Sequence, residues 1–259
     1  MALVTSIQLA HGSLRDPHMA SLRSTLYLMT WHNAHVRNTK TQALVLSILA
    51  LIACGIHAAI LKSSVHHYSY TSAAKVVLFL TFPVVYFAIS KAGRFRDMFA
   101  KPDGKGLKLS IILGLVVFTV IWGAFFIVRP YLDPTMIVDA LARNGITSGN
   151  FAIVFIYVVV INAMLEEIFF RGFVYLGLRL AKLKIYAYCF SSVLFALYHA
   201  AILDGAITAG VFVLFMVGLT CAGLIFNALT EKCGSIFGSL FVHICANVAI
   251  NLIVVVFYL

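Results

Sequence analysis

Seven apolar runs recur along the chain, at residues 41–61, 74–90, 107–128, 150–178, 185–201, 206–229 and 235–259. Each is close to the ~20 residues that carry a helix across ~30 Å of hydrocarbon. None shows the polar–apolar alternation of a barrel strand, so each must satisfy its own backbone polar groups as an α-helix. The expected fold class is all-α, a polytopic transmembrane helix bundle of about seven spans. Charged residues make up only 11% of the chain, well below the ~25% of soluble domains, which argues against a soluble fold.

The segments between the runs suggest an orientation. Basic residues crowd the leader (Arg15, Arg23, Arg37, Lys40), the second loop (Lys91, Arg94, Arg96, Lys101, Lys105, Lys108), the fourth (Arg179, Lys182, Lys184) and the sixth (Lys232). The alternate loops carry less: Lys62 and Lys75, then Arg129 and Arg143. The positive-inside rule therefore places the N-terminus in the cytoplasm of a multi-pass integral membrane protein, in the cell or inner membrane if bacterial. The net charge of +10 sits mostly beside spans, so membrane lipid, not nucleic acid, is the expected partner of the basic loops.

The chain divides into a cytoplasmic leader (1–40), accessory helices (41–149) and a helical core (150–259). The leader lacks the basic start and unbroken apolar stretch of a secretory signal. An interfacial helix is expected near Leu22 to Trp31, and Met19 offers an alternative start. A short amphipathic helix capped by Asp133 is expected in the loop from Pro130 to Ser148.

Within the fourth run stands Met164-Leu165-Glu166-Glu167-Ile168-Phe169-Phe170-Arg171-Gly172. Each ionisable group at a bilayer centre costs ~2.5–3.5 kcal/mol on insertion scales, so their presence needs a reason. Glu167 and Arg171 are four apart and can pair along one face. Glu166 is turned about 100° away and has no sequence-local cation, an arrangement suited to a general base. The alternative is that all three are polar glue between helices, and this stretch alone leaves both readings open. Two further spans carry a histidine, His199 in Phe195-Ala196-Leu197-Tyr198-His199 and His243 in His243-Ile244-Cys245-Ala246-Asn247. His243, Asn247 and Asn251 are spaced by four, so they form one stripe expected to face the bundle interior.

Glu166-Glu167-x-x-x-Arg171, Phe195-x-x-x-His199 and His243-x-x-x-Asn247, in that order on apolar spans, resemble the motifs of the CAAX protease and bacteriocin-processing (CPBP, Abi or type II CAAX endopeptidase) family. The resemblance covers residues from about Asn150 onward. It implies an intramembrane endopeptidase in which Glu166, helped by His199, activates water, while His243 and Asn247 stabilise the oxyanion. Glu167 and Arg171 would orient the site. A carboxylate–imidazole pair and an amide donor fit that chemistry on their own account. The implied substrates are membrane-associated peptides or lipidated protein tails, in CAAX-type processing or in peptide maturation and bacteriocin immunity. No cofactor is expected. Zinc on Glu166, His199 and His243 is the alternative, weakened by the lack of a His-x-x-x-His pair on one helix.

Two other classes stay open on sequence alone: a proton- or ion-coupled transporter using the same ionisable groups, and a non-catalytic scaffold or immunity protein. The expected boundaries raise a further difficulty, since they set Glu166 near the cytoplasmic face and His199 nearer the external one. Meeting would require either a bend near Gly172 or Gly177 or a fifth helix that starts below the membrane plane.

Smaller features have plainer readings. The five cysteines (Cys54, Cys189, Cys221, Cys233, Cys245) are expected as small buried apolar residues. Tyr68, Tyr70, Tyr131, Tyr186 and Tyr188 are expected as interfacial anchors. Gly234 and Gly238 suggest close helix packing within the chain, and His32, His35, His66 and His67 are expected to be solvated.

Overall fold

A computed structural model describes residues 39–63, 68–90, 93–203 and 208–259. The described residues are helical with no strand. Eight helices follow in order: α1 (Thr39–Leu61), α2 (Tyr68–Ser90), α3 (Gly104–Val128), α4 (Pro134–Arg143), α5 (Phe151–Leu180), α6 (Lys184–Leu203), α7 (Ala209–Cys233) and α8 (Phe237–Tyr258). Among the described residues six are long and apolar enough to cross a membrane: α1, α2, α3, α5, α7 and α8. The remaining expected span is α6, a 20-residue helix whose polar content includes Lys184, Ser191, Ser192 and His199. The expected interfacial helix near Leu22 to Trp31 and the four histidines at 32, 35, 66 and 67 lie outside the described residues.

The outer surface is apolar. Ile89, Ile127 and Ile153 are about three-quarters exposed, as lipid-facing side chains of a membrane bundle should be. The interior holds an aromatic core centred on α5. Phe169 stacks on Phe79 of α2 with ring centroids 4.2 Å apart. Phe170 meets Phe195 and Tyr198 of α6, and Phe173 meets Tyr86 of α2. Close approach elsewhere depends on glycine. A Cβ on Gly223 of α7 would lie 2.8 Å from Ser192 Cα of α6, and one on Gly114 of α3 would lie 2.9 Å from Cys245 Sγ of α8. Gly238 likewise packs on Ser110 and Cys233, whereas Gly234 takes the left-handed conformation (φ 66°) that ends α7.

α5 is not a uniform α-helix. Residues Tyr157–Asn162 and Glu167–Tyr175 are wound as π-helix, in which the backbone ladder skips to i+5. Such segments are rare and concentrate at functional sites. Pro83 lies within α2 without ending it.

Three connections come together at one end of the bundle. Asp103 N–H donates to the Cys233 carbonyl (3.0 Å) and Ile236 N–H to the Met98 carbonyl (3.0 Å), tying the α2–α3 loop to the α7–α8 turn. Glu231 on α7 accepts from Arg179 (2.7 Å), Lys184 (3.0 Å), Tyr188 (2.6 Å) and Tyr175 (3.1 Å), tying α7 to the α5–α6 turn. The basic residues of these connections therefore share one side. Tyr188, expected as a lipid anchor, belongs instead to this polar network. Tyr70, Tyr131 and Tyr186 are exposed, and Tyr68 packs edge-on against Tyr157. Cys54 and Cys233 are buried and Cys245 is intermediate. Cys189 and Cys221 are exposed, contrary to the expectation, because they fall on the outward stripes of α6 and α7.

The expected amphipathic helix is α4, and Asp133 caps it by accepting from Thr135 N–H (2.9 Å) and Thr135 O–H (2.7 Å). The Thr135 hydroxyl and amide hold the Asp133 carboxyl below the usual carboxylate range.

Candidate active site

The site forms where α5, α6 and α8 converge, with α2 closing one side. Glu166, Glu167 and Arg171 are fully buried on α5. Glu166 lies fourteen residues before the end of α5 and His199 fifteen after the start of α6. A turn of only three residues joins the two helices, so both side chains stand at the same depth. This corrects the expectation of mismatched depths, which measured the two helices from the wrong reference. Gly172 packs against Met98 of the α2–α3 loop, while the ends of α5 and α6 continue beyond that contact to Arg179 and Lys184.

The two oxygens of Glu166 have different surroundings. Oε1 accepts from Lys75 Nζ (2.8 Å) on α2 and from Asn162 Nδ2 (3.0 Å) one turn earlier on α5. Lys75 Nζ also donates to Asn162 Oδ1, closing a ring of three side chains. Oε2 has no hydrogen-bond partner. It faces His243 Nε2 at 3.5 Å and His199 Nε2 at 3.7 Å.

The other nitrogen of each ring fixes its tautomer. His199 Nδ1 lies 2.7 Å from the Phe195 carbonyl, which can only accept, so Nδ1 carries the hydrogen. His243 Nδ1 lies 2.9 Å from Glu167 Oε1 and donates to that carboxylate. With the hydrogen on Nδ1, a neutral ring at either position directs an Nε2 lone pair toward the unpartnered Oε2. A group that donates hydrogens among these three acceptors fits there, and so does a proton on either Nε2.

Glu167 Oε1 is shared with Arg171 Nη1 at 3.2 Å, an ion-pair distance without hydrogen-bond alignment. The guanidinium is held mainly by aromatic faces, 4.3 Å from the Phe195 ring centre and 4.7 Å from that of Phe226. Asn247, one turn beyond His243, donates from Nδ2 to the Val158 carbonyl (2.9 Å) in the first π-helical segment of α5. Asn251 donates to the Asn247 carbonyl (2.8 Å). The structure thus gathers Glu166, Glu167, Arg171, His199 and His243 into direct contact and sets Asn247 against the backbone beside them.

Sequence reasoning missed Lys75, which it assigned to a loop. α2 begins at Tyr68, so Lys75 is two turns inside it and only 6% exposed. It also missed Asn162, whose four-residue spacing from Glu166 is a readable signal. His57 of α1 and Tyr198 complete this flank, with ring centroids 5.3 Å apart.

The donor set is a poor fit for zinc. The two Nε2 atoms and the open Glu166 Oε2 are donors that suit a metal, but the same carboxylate is paired through Oε1 with the Lys75 ammonium, and a cation on it would meet that fixed positive charge. Among the described residues no cluster of three His, Cys, Asp or Glu side chains has metal-holding geometry.

Residues 148–249, which span α5 to the middle of α8, match the family described as type II CAAX prenyl endopeptidase Rce1-like. Over this segment the chain is similar to the Rce1-like family. No curated protein and no solved structure matches it. The Rce1-like segment contains all three motifs and every residue of the gathered cluster except Lys75. The match supports a CAAX-type membrane endopeptidase in general, and it supports neither the transporter nor the scaffold reading.

Proposed function

We propose that this chain is an intramembrane endopeptidase that cleaves membrane-associated peptides or protein C-terminal tails with water activated at Glu166. The observation that carries the reading is the buried, unpartnered Glu166 Oε2 facing His199 Nε2 and His243 Nε2 from two other helices. A water among these three acceptors donates one hydrogen to Oε2 and the other to an Nε2, leaving an oxygen lone pair for the scissile carbonyl carbon. As the C–O bond forms, one proton passes to the carboxylate–imidazole pair. An Nε2–H so formed on His243 can then donate to the oxyanion, with the second amide hydrogen of Asn247 as a further donor. Breaking the C–N bond returns the proton to the leaving amine. Glu167 and Arg171 orient His243 from its far edge.

A metal-free reaction is part of this reading, because the Lys75 ammonium on Oε1 opposes a second cation on the same carboxylate. Substrates reach the site from the cytoplasmic half of the bilayer, with the N-terminus cytoplasmic. Moving Lys75 from an outer loop into α2 supports that orientation, because it lowers the positive charge on the opposite side. Prenylated CAAX tails are the first substrate class to test, since the matching family is named for them.

The experiment uses protein in lipid with a panel of membrane-tethered peptides, prenylated and unmodified. Cleavage by the parent that persists with chelator and without bound metal, and is lost in a folded Glu166→Gln variant, is the expected result. Cleavage retained by Glu166→Gln would refute the assignment.

A further inference from the structure

Lys75 lies outside the family-matching segment and in a span that carries none of the motifs, yet its ammonium is the cation nearest the candidate base. Its Nζ binds Glu166 Oε1 at 2.8 Å together with Asn162 Oδ1, and stands 4.9 Å from the Tyr198 ring centre, next to His199 on α6. With Oε1 accepting from both Lys75 and Asn162, the carboxylate cannot rotate without breaking two charge-assisted or amide hydrogen bonds.

We propose that Lys75 is a positioning residue of the same site: it pins Glu166 Oε1 and so holds Oε2 toward the two imidazoles. This rests on the endopeptidase reading above. α2 then contributes to the reaction and not only to the bundle, and the functional unit extends past the three motifs to a helix in the accessory region. A plainer role, neutralising a buried carboxylate, explains the ion pair but gives no reason for the second bond to Asn162 or for the division of the carboxylate into a tied and an open oxygen.

Four variants test it in lipid nanodiscs: Lys75→Met, Lys75→Arg, Glu166→Gln and Lys75→Met/Glu166→Gln. On a peptide the parent cleaves, Lys75→Met should lower kcat about tenfold to a hundredfold with KM unchanged, the signature of a displaced reacting group. Lys75→Arg should recover part of the loss, because a guanidinium can still reach both oxygens. In unfolding, each neutralising single variant should lower the midpoint and the double variant should return toward the parent, because no charge is then left alone. Additive losses in the double variant, or an unchanged kcat in Lys75→Met, would overturn the proposal. If the double variant recovers but the parent cleaves no peptide, the endopeptidase reading falls while the Lys75–Glu166 coupling stands.

Discussion

Arg171→Met should destabilise the bundle by about 3 kcal/mol, toward the low end of the ~3–5 kcal/mol range for breaking a buried ion pair by removing one partner. Both Arg171 and Glu167 are fully buried, with Nη1 and Oε1 3.2 Å apart, so the loss is not softened by solvent. Cation–π contact with Phe195 and Phe226 is also lost, at ~0.5–2 kcal/mol per ring. Two terms work the other way. Glu167 keeps its donor on His243, and the guanidinium nitrogens, which have no hydrogen-bond partner, no longer have to be desolvated. Methionine fills similar volume, so no large cavity forms. A change of ~3 kcal/mol is about two decades in the unfolding equilibrium constant. It is measurable by far-UV circular dichroism during denaturant titration in mixed micelles, compared at a common slope. Arg171→Lys should lose nearly as much, because an ammonium cannot lie flat between two phenyl faces. A loss under ~1 kcal/mol for Arg171→Met, or parental stability for Arg171→Lys, would refute this account of the guanidinium.

Two further outcomes are expected. Gly223→Ala should cost ~1–3 kcal/mol in the same titration, since its Cβ would sit 2.8 Å from Ser192 Cα and push α7 from α6. Gly218→Ala, with open space around the added methyl, should match or exceed the parent. The Asp133 carboxyl is held below its unfolded value by Thr135, so its support of α4 is complete above the ordinary carboxylate range and is lost as pH falls below it. Amide protection factors in residues 134–143, taken relative to the intrinsic rate at each pH, should fall on acidification, and Asp133→Ala should abolish that pH dependence.

Much of the bundle was legible because hydropathy and length alone define a span. The expected run at 150–178 became Phe151–Leu180, and the Asp133 cap and the helix after it followed from local turn chemistry. The motif residues were legible as residues, but not as contacts. Lys75 escaped because a lysine at the edge of the expected run at 74–90 looks like a loop charge, whereas α2 begins earlier, at Tyr68. Only a partner ninety-one positions away, Glu166, makes its burial tolerable. The depth of His199 escaped because span boundaries carry no common origin until the three-residue turn after Leu180 supplies one.

The shared imidazole was illegible for a deeper reason, and it bears on how the two glutamates are coupled. At 3.6 residues per turn, neighbouring side chains point ~100° apart, which separates Glu166 from Glu167 and suggests separate partners. At the Glu166–Glu167 step the backbone keeps α-helical dihedrals (φ −67°, ψ −39° and φ −67°, ψ −40°), so that divergence persists. The two carboxylates nevertheless reach one imidazole at its two nitrogens: Glu167 takes the Nδ1 hydrogen of His243, and Glu166 Oε2 faces its Nε2. A change in the charge on one glutamate is therefore felt by the other through a single ring. The proposed base and its orienting partner form one unit, and α8 joins them by placing His243 between the two carboxylates.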